Sequence, residues 1–208
     1  MTEATVSGSL GATEHIDLDL ADASVRYFPR LFAPAEADRL FGELMETTPW
    51  SHETIVVYGR RLPQPRLTAW FADDGGSYTY SGLTLAASAW TACLGQVRSA
   101  AEKAAGHRFG VALANLYRDG RDSVAWHADD EPELGPTPVI GSVSFGAVRR
   151  FQLRRRRDHD IRHEIELASG SLLVMAGETQ RHWMHQVPKT SRQVGPRVNI
   201  TFRTWIGS

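Results

Sequence analysis

Two segments of the sequence carry histidine and carboxylate side chains in a spacing that suits a metal ion. The first, Trp126-His127-Ala128-Asp129, contains a His-x-Asp pair. In an extended segment, residues i and i+2 face the same side, so both side chains can reach one ion. A neutral imidazole and a hard carboxylate suit Fe(II), Mn(II) or Zn(II). By itself the pair is a weak signal, because an exposed loop can carry the same residues.

A third ligand strengthens the metal hypothesis. The downstream segment 182–188, HWMHQVP, contains His182 and His185. Two histidines and one carboxylate with open coordination positions form the facial triad of non-heme iron oxygenases, in which a cosubstrate and O₂ bind at the open positions. The two histidines would lie on opposite faces of a strand, so only one should reach the metal. Their spacing does not say which one.

The segment 196–203, PRVNITFR, alternates polar and apolar side chains. Its polar positions are Arg197, Asn199, Thr201 and Arg203, and its apolar positions are Val198, Ile200 and Phe202. Two arginines on one strand face are costly unless an anion lies there. A dicarboxylate with one carboxylate for each guanidinium would satisfy both. The alternative is an edge strand whose arginines face solvent.

The elements that must position these residues are mainly β-strands with flanking helices, an α+β arrangement. We expect a first helix after Pro34 and a second from about Thr84 to Ala105, with Gly106 as its C-cap. Seven short strands separated by turns favour a double-sheet barrel or jelly roll over βαβ units. They are predicted at 111–117, 139–145, 150–155, 163–167, 171–176, 182–187 and 197–205.

The region between the two predicted helices has a different texture. Residues 54–59 favour a strand, Pro63 and Pro65 interrupt it, and Tyr78 to Tyr80 favour a strand again. This pattern indicates irregular hairpins that expose aromatic side chains.

Composition limits the class of protein. The 208 residues are 42% hydrophobic and 23% charged, as expected for one globular domain. The only cysteine, Cys93, excludes an internal disulfide and a cysteine-rich metal site, and it favours a reducing compartment. We expect a bacterial cytoplasm, or a nucleus if the source is eukaryotic. The near-neutral net charge of −1 and the absence of a coiled-coil pattern favour a monomer.

Charge is unevenly distributed along the chain. The first 22 residues contain five carboxylates and no lysine or arginine, and we expect residues 1–22 to be a disordered acidic tail. The remainder therefore carries +4, concentrated in an arginine-rich segment at 149–162. Such a patch can contact phosphates. The alternative is a solvated hairpin with extended arginines.

Taken together, these motifs resemble the AlkB family of Fe(II)/2-oxoglutarate-dependent dioxygenases. The resemblance rests on Asn115-Leu116-Tyr117, on His127-x-Asp129, on His185 followed by Val-Pro, and on the closing RVNITFR string. The string SVSFGA at 142–147 adds to it. The sequence most resembles the branch containing human AlkB homologues 2 and 3, over roughly residues 50–206.

The resemblance implies a double-stranded β-helix, or jelly roll, with an N-terminal helical and hairpin extension that forms a nucleotide-recognition lid. One dioxygenase domain would span 23–208, with substrate-recognition hairpins at about 49–82 and the jelly-roll core at about 109–206. By motif position, His127, Asp129 and His185 would bind iron, and His182 would be a packing residue. The 2-oxoglutarate pocket would contain Asn115, Tyr117, Arg197, Asn199 and Arg203.

The implied activity is oxidative dealkylation of nucleic-acid bases, a DNA repair reaction. Fe(II), 2-oxoglutarate and O₂ would act on lesions such as 1-methyladenine and 3-methylcytosine, with release of succinate, CO₂ and formaldehyde. The reacting base would have to be flipped out or already single-stranded. The alternative functions are a dioxygenase of this fold that acts on RNA modifications, a protein or a small molecule, and a jelly-roll binding module without catalysis.

Substrate residues also follow from the resemblance. Tyr58 would wedge into the base stack, and Tyr80 with Ser81 would contact the extracted base. Arg66 and Glu131 would lie at the pocket rim. Phosphate contacts would come from the arginine-rich segment, through Arg149, Arg154 and Arg156. The alternatives are a surface aromatic at Tyr58, a core tyrosine at Tyr80 and a solvated loop acid at Glu131.

Overall fold

The structure is a computed structural model that describes residues 14–57, 60–73, 78–80 and 83–206. Its helices are α1 (Pro34–Thr47), α2 (Ala92–Ala105) and α3 (Thr179–His182), and a short 3₁₀ helix spans Pro132–Leu134. The strands are β1 (Ile16–Asp17), β2 (Ser24–Phe28), β3 (Thr54–Val57), β4 (Arg60–Pro63), β5 (Leu67–Ala72), β6 (Tyr78–Tyr80), β7 (Leu83–Leu85), β8 (Val111–Tyr117), β9 (Val124–His127), β10 (Ile140–Gly146), β11 (Arg149–Arg155), β12 (Arg162–Leu167), β13 (Ser171–Ala176), β14 (Trp183–Val187) and β15 (Arg197–Arg203).

Two antiparallel sheets build the core of the fold. The large sheet has the order β1-β2-β13-β10-β15-β8-β5, and the small sheet has the order β12-β11-β14-β9. From β8 to β15 the chain alternates between the two sheets, except that β11 and β12 form a hairpin within the small sheet, and this connectivity is that of a jelly roll. The mainly β fold predicted from the sequence is thus confirmed.

Strand β15 lies in the middle of the large sheet, between β10 and β8, and all seven of its residues are buried. Its apolar positions join the core under the helices: Val198, Ile200 and Phe202. Its polar positions therefore face the small sheet. The alternative of an edge strand with solvent-facing arginines is wrong, because β15 is paired on both sides.

Helices α1 and α2 cover the outer face of the large sheet. Helix α1 begins at Pro34 and buries Leu40 and Leu44. Helix α2 begins after Thr91, whose side chain accepts a hydrogen bond from the Leu94 N–H, and it ends at Gly106 with φ +67°. The predicted start at Thr84 is wrong, because Leu83–Leu85 form β7 and the Thr91 cap fixes the helix start.

Aromatic packing joins β15 to the segments that precede and follow α2. The Phe202 ring stacks with Phe109 at 5.9 Å and with Trp90 at 6.4 Å between ring centroids. A second core lies between the two sheets and includes Tyr117, Phe151 and Trp183. The large sheet is therefore buried on both faces, which holds its inward polar residues in fixed positions.

Most of the predicted strands are confirmed. The bounds 111–117 and 171–176 match β8 and β13, and three others start one residue early or late. The predicted strand 182–187 starts at Trp183, because residues 179–182 form α3. The strand predicted to end at 205 ends at Arg203. Strands β2, β5 and β9 were missed, since each is short or lacks clean alternation.

Part of the acidic N-terminal segment forms a strand, β1 (Ile16–Asp17). β1 pairs with β2, with Ile16 opposite Tyr27, and the Ala21 carbonyl accepts a hydrogen bond from the Trp183 indole at 2.9 Å. The disordered tail predicted over 1–22 is therefore wrong for residues 16–22. Ordering follows from pairing with the sheet edge.

Two separate hairpins occur in the region 54–85. β3 pairs with β4, and β6 pairs with β7. Hairpins were predicted here, and their use as a nucleotide-recognition lid stays a prediction.

In the part of the chain that the structure describes, no helix is long and apolar enough to cross a membrane.

Candidate functional site

Three potential metal ligands converge between the two sheets. His127 is the last residue of β9 and lies directly opposite His185 of β14, with ring centroids 4.3 Å apart. Asp129 follows two residues after His127. The potential ligand atoms of the three residues all lie within 4.8 Å of one another. Of the two candidate histidines, the structure selects His185, because His182 ends α3 with Nε2 3.9 Å from Glu178 Oε2.

The Asp129 carboxylate is buried, with 3% of the residue exposed. Its Oδ1 accepts a hydrogen bond from Arg203 Nη2 at 2.6 Å, and its Oδ2 lies 3.8 Å from His185 Nε2. Burial raises the pKa of this carboxyl, but Arg203 and the two histidines outweigh burial and bring the pKa to about 2. Asp129 is therefore ionised at neutral pH, as a metal ligand must be.

Both imidazoles can offer a lone pair to a cation. Burial, together with the neighbouring His127, lowers the pKa of His185 to about 3, so His185 is neutral at pH 7. The Phe151 ring stacks on His185 at 5.3 Å. His127 Nδ1 lies 2.8 Å from the Ala125 carbonyl oxygen, which accepts the Nδ1 proton and leaves Nε2 for a metal.

Arg197 brings a buried cation into the same pocket. The residue is 1% exposed, and its Nη2 donates to Ser144 Oγ at 2.9 Å. Its Nε and Nη1 are buried without a hydrogen-bond acceptor in the described part of the chain. Burial lowers the pKa of this guanidinium, while the Tyr117 phenol opposes that shift. Buried donors without acceptors are costly, and an anionic ligand would satisfy them.

The strands β10, β15 and β8 form a polar floor beside Arg197. Asn199 lies opposite Asn115 on one side and Ser144 on the other. The Asn199 amide donates to Ser142 Oγ at 2.8 Å. The pocket is lined by Arg66, Leu113, Asn115, Tyr117, Val124, His127, Asp129, Ser142, Phe151, Met175, His185, Val187, Arg197, Asn199, Thr201 and Arg203. All eight metal and cosubstrate residues predicted from the sequence line this one pocket.

Several residues of the site are not predicted by the sequence. Ser142 and Ser144 contact Asn199 and Arg197, and their signal was a Ser-x-Ser alternation within an apolar strand. Gln180 was also missed. Its Oε1 accepts a hydrogen bond from the Asp129 backbone N–H at 3.0 Å. No local pattern marks Gln180, because the contact spans 51 residues.

These residues fit an iron ion and a dicarboxylate cosubstrate. The donor set of two imidazoles and one ionised carboxylate leaves coordination positions open, and it matches the preference of Fe(II). The unsatisfied donors of Arg197 match the carboxylate at the far end of 2-oxoglutarate. Fe(II) would bind at His127, Asp129 and His185, and 2-oxoglutarate would extend from there toward Arg197.

The predicted substrate residues are placed unevenly. Arg66 is buried inside the pocket, and its Nε donates to Asn115 Oδ1 at 2.8 Å, so its predicted place at the rim is wrong. Glu131 is half-buried and directly precedes the 3₁₀ helix. Tyr80 belongs to β6. Tyr58 and Ser81 lie outside the described residues.

The arginine-rich segment divides into buried and surface side chains. Arg149 is 4% exposed and donates to the backbone carbonyls of Asp119, Asp122 and Pro188. The predicted phosphate contact at Arg149 is therefore wrong, since its guanidinium is already satisfied inside the protein. Arg154 stacks over the Trp126 ring at 4.3 Å, and Arg156 forms an ion pair with Asp130.

Comparison with known proteins places the site in context. The sequence profile of the 2OG-Fe(II) oxygenase superfamily matches residues 24–203. The human "Alpha-ketoglutarate-dependent dioxygenase alkB homolog 3" is 40% identical over 186 residues, which are 85% of this chain and 64% of the relative. The human "DNA oxidative demethylase ALKBH2" is 38% identical over 201 residues, which are 91% of this chain and 75% of the relative. Its Mus musculus counterpart is 40% identical over 183 residues, which are 83% of this chain and 77% of the relative.

This chain thus spans somewhat less than two thirds of the length of the homolog 3 proteins that it matches. Among solved structures, "The structure of OsALKBH1" aligns with a TM-score of 0.60 over 90% of this chain and 99% of the other. Its sequence identity is 14%, so this likeness concerns the fold alone. It agrees with the two-sheet jelly roll described above.

Proposed function

We propose a function from the family to which the chain belongs, the 2OG-Fe(II) oxygenase superfamily and, within it, the AlkB family. The protein is an Fe(II)- and 2-oxoglutarate-dependent dioxygenase that removes alkyl groups from nucleic-acid bases. One observation carries the oxidation chemistry: the His127, Asp129 and His185 cluster shares a pocket with the unsatisfied guanidinium of Arg197. The choice of substrate rests on the relatives, whose names include a DNA oxidative demethylase.

In this proposal the bound Fe(II), 2-oxoglutarate and O₂ supply the oxidation of an N-alkyl carbon, with release of succinate and CO₂ and, for a methyl group, formaldehyde. The residues of this chain supply the ligands for the metal. His127 and His185 present their imidazole nitrogens, and the ionised carboxylate of Asp129 presents the oxygen that Arg203 does not occupy.

Arg197 anchors the far end of the cosubstrate. Its Nε and Nη1 donors would bind a carboxylate in a site from which water is excluded, where charge-assisted hydrogen bonds are strong. Tyr117 lies directly opposite Arg197 in the β8–β15 register, with its ring 5.0 Å from the guanidinium carbon. Asn115 and Asn199 line the wall between the anchor and the metal ligands.

The nucleic acid would contact the outer face of the small sheet near the metal. Arg154 and Arg162 are direct cross-strand partners, and neither has a carboxylate partner in the described part of the chain. Like charges placed opposite each other destabilise a strand pair unless an anion neutralises them. A phosphate near Arg154 and Arg162 would do so. Arg156 would add a weaker contact, because Asp130 already neutralises it.

Recognition of the base itself is assigned to Glu131 near the metal and to the hairpin residues Tyr58, Tyr80 and Ser81. Glu131 follows Asp129 by two residues and could accept a hydrogen bond from an exocyclic amine. Arg66 contributes from the pocket wall through Asn115. The alkylated base must leave the stack to reach this pocket, which favours flipped or single-stranded substrates.

We also propose that the protein acts as a monomer in a cytoplasmic compartment. The proposal on location rests on the single, reduced cysteine. Light scattering after size-exclusion chromatography measures the oligomeric state, and a dimer mass would contradict the monomer.

The proposed function is tested on purified protein with Fe(II), ascorbate, 2-oxoglutarate and oligonucleotides that carry one 1-methyladenine. Single-stranded DNA, double-stranded DNA and RNA are compared by mass spectrometry for loss of the methyl group. Demethylation that depends on 2-oxoglutarate is the expected result. Succinate formation without change in any oligonucleotide would instead favour a dioxygenase for another RNA modification, a protein or a small molecule.

A pair of histidine variants tests the metal site. His185→Ala removes a buried ligand and should abolish both succinate formation and demethylation. His182→Ala removes a histidine three residues away whose imidazole lies 3.9 Å from the surface carboxylate of Glu178, and it should retain activity. Equal loss in both variants would contradict the assignment of His185, and a fully active His185→Ala would refute the proposed site.

A further inference from the structure

Asp129 lies outside the strand that carries its neighbouring ligand. β9 ends at His127, where the ladder with β14 makes its last pair on this side. Asp129 follows two residues later in a segment without regular structure. The ladder that fixes His127 and His185 therefore does not fix the backbone of Asp129, and another contact must do so.

Gln180 makes that contact. Its Oε1 accepts a hydrogen bond from the Asp129 backbone N–H at 3.0 Å. Gln180 is 1% exposed and Asp129 is 3% exposed, so water cannot replace this bond. The Gln180 amide also donates to Met175 Sδ at 3.7 Å, and Met175 lines the pocket. The side chain is thus held at both of its polar atoms.

Asp129 is held at two points, its carboxylate and its backbone. Arg203 binds Oδ1, and Gln180 binds the backbone N–H of the same residue. With the backbone and one oxygen fixed, the second oxygen is directed toward His185 Nε2 at 3.8 Å. We propose that Gln180 is a positioning residue, which fixes the backbone of Asp129 so that Oδ2 stays aimed at the metal position.

Gln180 also connects the two ligand segments. It lies in α3, which leads directly into β14 and reaches His185 five residues later. Gln180 therefore ties the segment of Asp129 to the chain that leads into the strand of His185. The surface ion pair between Arg156 and Asp130 links the residue after Asp129 to the end of β11, but both side chains are substantially exposed, so it contributes little.

The neighbouring Thr179 provides a matched control. It is equally buried, at 1% exposure, and its Oγ1 bonds with the Ser24 backbone and the Ala176 carbonyl, away from the metal ligands. Loss of the Thr179 hydroxyl should weaken the packing of α3 without releasing Asp129. A merely structural role for Gln180 would make the two positions equivalent.

The experiment measures Mn(II) affinity of the metal-free protein by calorimetry, and Co(II) coordination by visible absorption. Gln180→Met keeps the side-chain length but removes the acceptor. Partners that orient metal ligands typically change affinity by about 10–100-fold, so we expect Mn(II) to bind at least about tenfold more weakly, with an altered Co(II) spectrum. Gln180→Glu keeps an acceptor oxygen and should restore most of the affinity. Thr179→Val should bind Mn(II) as the wild type does.

This inference rests on the proposed metal site, and the outcomes separate the two. Wild-type protein that binds neither Mn(II) nor Co(II) would overturn the proposed function and the inference with it. Metal binding by the wild type, with unchanged affinity and spectrum in Gln180→Met, would overturn the inference alone. An equal loss in Thr179→Val would do the same, because the effect would then come from α3 packing.

Discussion

Two buried arginines, Arg149 and Arg197, lie 5.7 Å and 5.0 Å from the Tyr117 ring, and they differ in which acceptors their guanidiniums find. Arg149 donates to three backbone carbonyls, whereas Arg197 keeps two nitrogens without acceptors in the described part of the chain. Burial lowers the pKa of both guanidiniums. Arg149 therefore has its donors satisfied inside the protein, whereas the unsatisfied donors of Arg197 match the carboxylate proposed to bind there.

Because of this difference, replacement by methionine should affect the stability of the ligand-free protein differently at Arg197 and at Arg149. Arg197→Met removes a poorly satisfied buried charge, so the melting temperature of the ligand-free protein should change little or rise. The stabilisation by 2-oxoglutarate in the presence of Mn(II) should disappear. Thermal melts with and without both ligands measure the two effects.

Arg149→Met is the matched control. It leaves three carbonyls without donors, so it should lower the free energy of unfolding by at least about 2 kcal/mol. The shift caused by 2-oxoglutarate should persist in this variant. If Arg197→Met retained that shift, the cosubstrate would bind elsewhere.

At the scale of elements, the turn between β8 and β9 connects Tyr117, beside the proposed cosubstrate anchor, to the strand that ends at the proposed metal ligand His127. Asp122 organises this turn. Its carboxylate accepts hydrogen bonds from the Arg118 backbone N–H at 2.9 Å and from the Arg118 guanidinium at 2.8 Å and 2.9 Å. The Asp122 carbonyl in turn accepts a bond from Arg149. These hydrogen bonds therefore hold the turn that links Tyr117 of β8 to β9, which ends at His127, in one conformation.

The stability contributed by Asp122 should depend on pH. Burial raises its pKa, but the hydrogen bonds from Arg118 outweigh burial and hold the pKa below the ordinary value of 3.8. A carboxyl with a depressed folded-state pKa stabilises the fold above its unfolded pKa, and this stabilisation is lost as the pH falls through the folded-state pKa. Asp122→Asn should therefore be less stable than the wild type at pH 7, with a smaller difference near pH 3.

Chemical denaturation at the two pH values measures this difference. Asp119→Asn serves as a control in the same turn, because the exposed pair of Asp119 with Arg121 should contribute little at either pH. A constant difference between wild type and Asp122→Asn at both pH values would contradict the role of the ionised carboxylate.

At the scale of the whole molecule, the large sheet separates two cores. The helices cover one face, and the inter-sheet pocket occupies the other. Cys93 lies in the helical core, 2% exposed, and burial raises the pKa of its thiol to about 11. Because it is the only cysteine, its reactivity reports the opening of this core.

We expect Cys93 to react very slowly with a thiol reagent at pH 8 in the native protein, and rapidly in denaturant. The proposed site for Mn(II) and 2-oxoglutarate lies on the opposite face of the sheet, so these ligands should slow labelling only by stabilising the whole fold. At about 100 times the dissociation constant, this stabilisation is about 2.7 kcal/mol, or about a hundredfold in rate. Labelling that ligands do not slow would show that the helices open independently of the barrel.

The predictions from the sequence succeeded where local pattern and structure coincide. The alternation in 197–203 identified the inward polar face of β15, and strands β8 and β13 were predicted with their observed bounds. They failed where contacts from elsewhere decide the conformation. The helix predicted from Thr84 begins at Ala92, because the Thr91 cap and the pairing of β7 with β6 override the apolar pattern.

By itself, the sequence determined the residue types of the site and the faces on which they lie, because side-chain direction in a strand follows its period of two. Tertiary structure alone decided which histidine faces Asp129, which buried arginine remains unsatisfied, and that Gln180 holds the backbone of Asp129. Each of these depends on contacts between strands and helices far apart in the chain. Burial and hydrogen-bond partners of that kind are set by packing, which no local pattern of residues records.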